Sequence, residues 1–217
     1  MKDKYSLLKP DAYYHIYNRA NGNEKLFLSK ENYLFFLEKY NEFISPICDT
    51  FSYCLMPNHF HLLVKVKSEE LLKPVYNPNL LVLKPGDLKV FNEMDLKKFL
   101  SKKFSNLFSS YAQYFNLKNE RKGSLFMKNF KRKRVTNTNY LLKLVQYIHF
   151  NPIEAGLTNN PYNYEYSSFT NLISKDTSLL KRDEVISWFD DLENFKHIHD
   201  NAPIVLNLDQ NIFPEFE

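Results

Sequence analysis

Two stretches of strand-forming residues, Thr50–Met56 and His59–Val66, are separated only by Pro57-Asn58. Proline cannot donate to a sheet ladder and asparagine is at home in turns, so the pair ends one strand and starts the next. A spacer this short predicts a tight antiparallel connection. Residues two apart on a strand point to the same face, so His59 and His61 stand side by side with Phe60 turned to the core.

The other elements follow from periodicity. Ala12–Arg19 is rich in aromatic and β-branched residues and reads as a strand closed by Asn21-Gly22-Asn23. Ser29 caps a helix from Lys30 to about Ser45, with Tyr33, Phe36, Leu37, Tyr40, Phe43 and Ile44 as its apolar stripe and Pro46 as its stop. Lys67–Glu93 carries Pro74, Pro78 and Pro85 without a steady period and reads as a long inserted connection. Asp95 to about Leu117 is an amphipathic helix, and Ser124–Val135 reads as a fourth strand ending in a basic run. Thr136–Thr138 caps a helix over about Asn139–Asn151, which Pro152 closes. Beyond Leu157, Trp188, Phe189 and Leu192 suggest one short amphipathic helix. The order β-α-β-β-α-β-α predicts an α+β, ferredoxin-like sandwich: a four-to-five-stranded antiparallel sheet with helices on one face.

Hydrophobic residues are 44% of the 217, enough for a real core. The 19 Phe and 15 Tyr can fill that core, and aromatic rings also stack on unpaired bases. The net charge of +4 is too small to imply a polyanion partner, but the charge is concentrated in Lys128–Arg134. Cys48 and Cys54 are expected to be buried, reduced thiols. No apolar run is long enough to span a bilayer and the first residues lack a signal core, so a cytoplasmic protein without a membrane partner is expected.

A His-x-His pair is weak by itself, and His197-Ile198-His199 repeats it without a strand signal or a partner downstream. That second pair reads as solvated surface. His59 and His61 head an apolar strand, and two neutral imidazoles make half of a metal site. Tyr147 and Asn151 are four residues apart and share a helix face. A phenol and an amide so placed suit a nucleophile and a further ligand, yet spacing alone favours a tyrosine at the rim of the core.

The residues around these sites resemble a known family. Leu55-Met56-Pro57-Asn58-His59-Phe60-His61, Gly123-Ser124-Leu125-Phe126 with Phe130-Lys131, Tyr147–Leu157 and Tyr166-Ser167-Ser168 are similar to motifs of the single-tyrosine HUH transposases, in the same order. The nearest branch is the REP-associated tyrosine transposases, relatives of the insertion-sequence-200 type. The likeness runs from about Tyr13 to Phe169, and Ala20 departs from the glycine that relatives often carry. It implies an HUH-endonuclease sandwich with a catalytic domain over residues 1–170, an insertion at about 67–93, and an accessory tail, helical or irregular, over 171–217. It further implies His59, His61 and Asn151 as ligands of Mg²⁺ or Mn²⁺ and Tyr147 as the nucleophile. The partner would be single-stranded DNA bearing a hairpin, cut and rejoined through a 5′-phosphotyrosine link. Arg19, Lys128, Lys131, Arg132, Lys133 and Arg134 are candidate phosphate contacts. A solvated edge strand protected by charge is the plainer account of the basic run. The chain would act as a monomer or homodimer. The alternative is a domesticated protein that binds nucleic acid on the same fold without cutting it.

Overall fold

The computed structural model describes residues 5–76, 93–174 and 179–201. The hairpin is formed as expected. Strands β2 (Cys48–Met56) and β3 (His59–Val66) pair antiparallel with Met56 opposite His59. Neither turn residue has a positive φ, so this is not the mirror-image turn that matches strand twist by itself. Backbone from elsewhere holds it: Leu26 N and Phe27 N donate to Pro57 O at 2.7 and 3.1 Å, and Ala20 N donates to Asn58 O at 2.8 Å.

Strand β1 (Tyr13–Arg19) lies between β3 and β4 (Lys131–Val135), giving a four-stranded antiparallel sheet of order β2-β3-β1-β4. The helices are α1 (Lys30–Phe43), α2 (Glu69–Tyr76), α3 (Glu93–Lys118), α4 (Thr138–Glu154), α5 (Phe169–Ile173), α6 (Arg182–Trp188) and α7 (Leu192–Asp200). Helix α1 starts as its sequence suggests, with Asn32 Oδ1 accepting from the backbone of Leu28 and Ser29. Asn137 caps α4 by accepting from Asn139 N at 2.8 Å.

The expectation of helices on one face is corrected. Helices α1 and α3 bury Tyr14, Ile16, Phe60, Leu62 and Val64 from one side of the sheet. Helix α4 packs on β2 and β3 from the other side, over Cys54, Met56 and Leu63, and Phe51, Phe169, Val185, Phe189 and Phe195 complete that second core. The reason lies in β3, whose central residues are buried on both faces. A strand apolar on both faces needs a layer on each side.

Four further expectations are corrected. The fourth strand covers only Lys131–Val135; residues 124–130 form a loop with a single bridge, Ala20 to Phe126, and Asn129 at φ 60 bends the chain out of the ladder. The inserted connection begins with α2, while residues 77–92 of it lie outside the described residues. Helix α4 runs past Pro152 to Glu154, so the proline sits inside its last turn. The single helix expected around Trp188 is two, α6 and α7, broken at Asp190 with φ 70 and restarted by Asp191 as N-cap. Both cysteines are buried free thiols, as expected. No described helix is long and apolar enough to cross a membrane.

Candidate metal and tyrosine site

The sheet face covered by α4 carries the polar residues. Alternation puts His15, Tyr17 and Arg19 of β1 on the side of His59 and His61. Tyr17 is directly opposite His61, and Arg19 opposite His59. Helix α4 brings Tyr147 edge-on to His61, with ring centroids 5.3 Å apart. The His59 and His61 rings are 5.1 Å apart and nearly perpendicular. The structure therefore brings the pair His59 and His61 to the pair Tyr147 and Asn151, far along the chain.

The hydrogen bonds decide which atoms each group presents. Asn58 Oδ1 can only accept, so the 2.7 Å contact makes His59 Nδ1 the protonated nitrogen. His61 Nδ1 faces His15 Nε2 at 2.9 Å. The Nε2 atoms are thus the ones both rings can offer a cation. Asn151 Nδ2 donates to Tyr147 O at 2.7 Å, which fixes the carboxamide. Its side chain also contacts the His59 ring and favours the protonated form of that ring. Neutral imidazoles are the ligand form, and burial supplies it. Burial first, and the charge of Arg19, hold His59 down at about 4 against the Asn151 contact. Burial holds His61 well below the usual range. Two neutral nitrogens and a carboxamide oxygen form a donor set that fits a divalent cation with positions left open. Among the described residues no three His, Cys, Asp or Glu side chains form a metal cluster.

Two residues of this face were missed in the sequence. His15 is 3% exposed, meets His61 edge to edge with ring centroids 5.1 Å apart, and stands edge-on to Tyr147 at 6.0 Å. Tyr17 stacks on His61 at 5.7 Å. Their signal was alternation in a strand already recognised, but only a known neighbour strand gives that alternation a meaning.

The reading of His197-Ile198-His199 as surface is corrected for His199. It is 2% exposed and contacts His149 of α4. The protons of this cluster can be assigned. Phe195 O accepts from His199 Nδ1 at 2.8 Å, so His199 Nε2 accepts from His149 Nδ1 at 3.0 Å. His149 Nε2 then accepts the Ser168 hydroxyl proton at 2.8 Å, and Ser168 Oγ accepts from Tyr53 N at 2.9 Å. A directed chain of neutral groups joins α7, α4 and the edge of β2. The sequence missed it because α7 carries the amphipathic pattern of a surface helix. Its burial depends on Phe195 and His199 meeting α4.

The basic residues divide. Lys131 and Lys133 fall opposite Tyr17 and His15 on the site face, with their ammonium groups over the rings of Tyr17 and Tyr140 at 5.8 and 4.9 Å. Arg19 is on the same face by alternation, and its charge is felt at His59. Arg132 lies on the other face, donating to Ser6 O and covering Phe130, and Arg134 alternates with Lys133 onto that side. Lys128 lines an open groove of 420 Å³ between α3 and the 124–132 segment.

The buried histidines carry a pH prediction. Burial lowers His15 to about 3, His199 to about 4, and His149 well below the usual range. Unfolded histidine titrates near 6.5. Stability is therefore complete above about pH 6.5 and is lost as the pH falls towards 4, because the unfolded chain takes up protons the folded chain refuses. Each such histidine costs about 1.4 kcal/mol per pH unit within that window. Chemical denaturation at pH 7 and pH 5 should differ by several kcal/mol; equal midpoints would contradict the buried neutral rings.

The sequence matches no family model and no curated protein. The fold is an antiparallel four-stranded sheet carrying the histidine pair, with helices packed on both faces. Among solved structures it is similar to that of a REP-associated tyrosine transposase bound to a REP hairpin. The likeness covers 81% of this chain and 87% of that one, with a TM-score of 0.54 and 12% sequence identity.

Proposed function

We propose that the protein is a single-strand DNA transposase that nicks and rejoins its substrate through Tyr147, in the manner of the REP-associated tyrosine transposases. The observation that carries this reading is the meeting of Tyr147 with His61 at 5.3 Å, while Asn151, one turn further along the same helix, reaches His59.

His59, His61 and Asn151 would hold Mg²⁺ or Mn²⁺, and nitrogen-rich ligation leans to Mn²⁺. When bound, the cation supplies polarisation of the scissile phosphate. Tyr147 attacks phosphorus, forms the phosphotyrosine bond to the 5′ side and leaves a 3′-hydroxyl. The phosphodiester energy is kept in the new link, so a second strand is joined without ATP. Arg19, Lys131 and Lys133 line the approach to the site and suit the phosphates of a single strand, and the aromatic rings beside them suit unstacked bases. The proposed partner is a hairpin-bearing DNA, by analogy with the REP hairpin bound to the similar transposase.

The test is incubation with labelled single-stranded hairpin DNA and Mn²⁺, followed by denaturing electrophoresis. A covalent protein–DNA band is expected from the wild type and should be lost with His59→Ala. Binding without cleavage would favour a domesticated binding protein. Unchanged cutting by His59→Ala would remove the metal assignment.

A further inference from the structure

We propose that His15 is a positioning residue of this site, accepting a hydrogen bond from His61 Nδ1–H and so selecting the tautomer whose Nε2 is a ligand. The inference rests on the metal reading above and adds a residue to it. His15 Nε2 and His61 Nδ1 are 2.9 Å apart, in a contact buried between the sheet and α4. At that distance, between two neutral rings, one proton lies between the two nitrogens. If His15 donates it, His61 carries its own proton on Nε2 and has no lone pair to offer a cation. If His61 donates it, Nε2 becomes the ligand atom and His15 holds its proton on Nδ1. Metal binding by His61 therefore requires His15 to be the acceptor.

The surroundings make His15 suited to that part. Its ring lies nearly parallel to that of Tyr17, with centroids 4.7 Å apart, and meets His61 edge to edge, with centroids 5.1 Å apart, so the hydrogen bond runs close to both ring planes. Burial, and then the charge of Lys133 opposite it in the β1–β4 register, disfavour the doubly protonated ring and leave one nitrogen of His15 with a lone pair to accept. Histidine ligands are commonly oriented by a carboxylate or a carbonyl on the second nitrogen, and losing such a partner typically weakens metal affinity about 10- to 100-fold. A neutral imidazole does the same orienting without adding negative charge beside the scissile phosphate.

The test uses the full chain and two readouts. Ring nitrogen–proton correlation spectra, with His61 assigned from His61→Gln, should show His61 protonated at Nδ1 in the wild type before any metal is added. Mn²⁺ titration should show His15→Leu binding about 10- to 100-fold more weakly than wild type. His15→Gln, whose Oε1 can accept in place of Nε2, should recover most of that loss. A wild-type His61 protonated at Nε2, or His15→Leu binding Mn²⁺ like wild type, overturns the proposal. If the wild type binds no Mn²⁺, the metal reading fails, and the tautomer of His61 in the wild type and His15→Leu still decides the positioning role. If His15→Leu does not fold, the wild-type tautomer and His15→Gln carry the decision.

Discussion

Tyr147→Phe is expected to abolish the covalent DNA adduct, lowering its rate of formation by at least about 10³-fold, as removal of an enzymatic nucleophile does. The phenylalanine ring keeps the edge contacts with His61 and His15, so folding should be unchanged. Mn²⁺ affinity should also hold, because Asn151 is fixed by the Tyr147 carbonyl rather than its phenol. The site contains a rival: Tyr17 stacks on the same histidine at 5.7 Å. Tyr17 is 2% exposed, and burial pushes its phenol up to about 12, so it offers neither access nor a ready phenolate. Tyr147 is only half-buried. Tyr17→Phe should therefore still form the adduct. A full-strength adduct from Tyr147→Phe would show that the nucleophile is another group. Wild-type cutting without any covalent band would point to water as the attacking group, with Tyr147 structural.

His199→Ala is expected to cost about 3 kcal/mol of stability. The loss has two sources: a cavity where a buried ring stood, and His149 Nδ1–H left buried without its acceptor. For a domain of this size that is a fall in unfolding midpoint of roughly 6–12 °C. Glu or Lys introduced at the exposed His197 should change the midpoint by no more than about 0.5 kcal/mol equivalent. The contrast separates two histidines that look alike in the sequence. A midpoint for His199→Ala within a degree of wild type would mean that α7 does not brace α4. The consequence for function is positional. Helix α4 bears Tyr147 and Asn151, and the chain through His149, Ser168 and Tyr53 N holds that helix against its own sheet.

Much of this arrangement was legible from local pattern. The Pro57-Asn58 break and the alternation of His59-Phe60-His61 specified the hairpin and the face of the histidines, because both depend only on neighbours in the chain. The four-residue spacing of Tyr147 and Asn151 placed them on one side of α4 for the same reason. Periodicity reports which side chains share a face of their own element. It does not report which element will cover that face.

The covering was decided by tertiary packing. The β3 run His59–Val66 had too many apolar residues for a strand with one wet face, and α4 with the α5–α7 segment closes the second face. Lys131, Arg132, Lys133 and Arg134 were all candidate phosphate contacts, and pairing with β1 decides the division, with Lys131 and Lys133 on the site face and Arg132 on the other side. His15 and His199 were invisible because a polar residue looks the same in a sequence whether water or a buried partner satisfies it. Their partners, His61 and His149, lie 46 and 50 residues away. The sequence by itself thus determined the hairpin, the two histidines and the tyrosine–asparagine helix, all set by bonds and steric preferences within a few residues. Only the folded chain decided that the two halves of the site meet, and which buried histidines hold them there, since burial and hydrogen bonding between distant segments arise only when the second face of the sheet is closed.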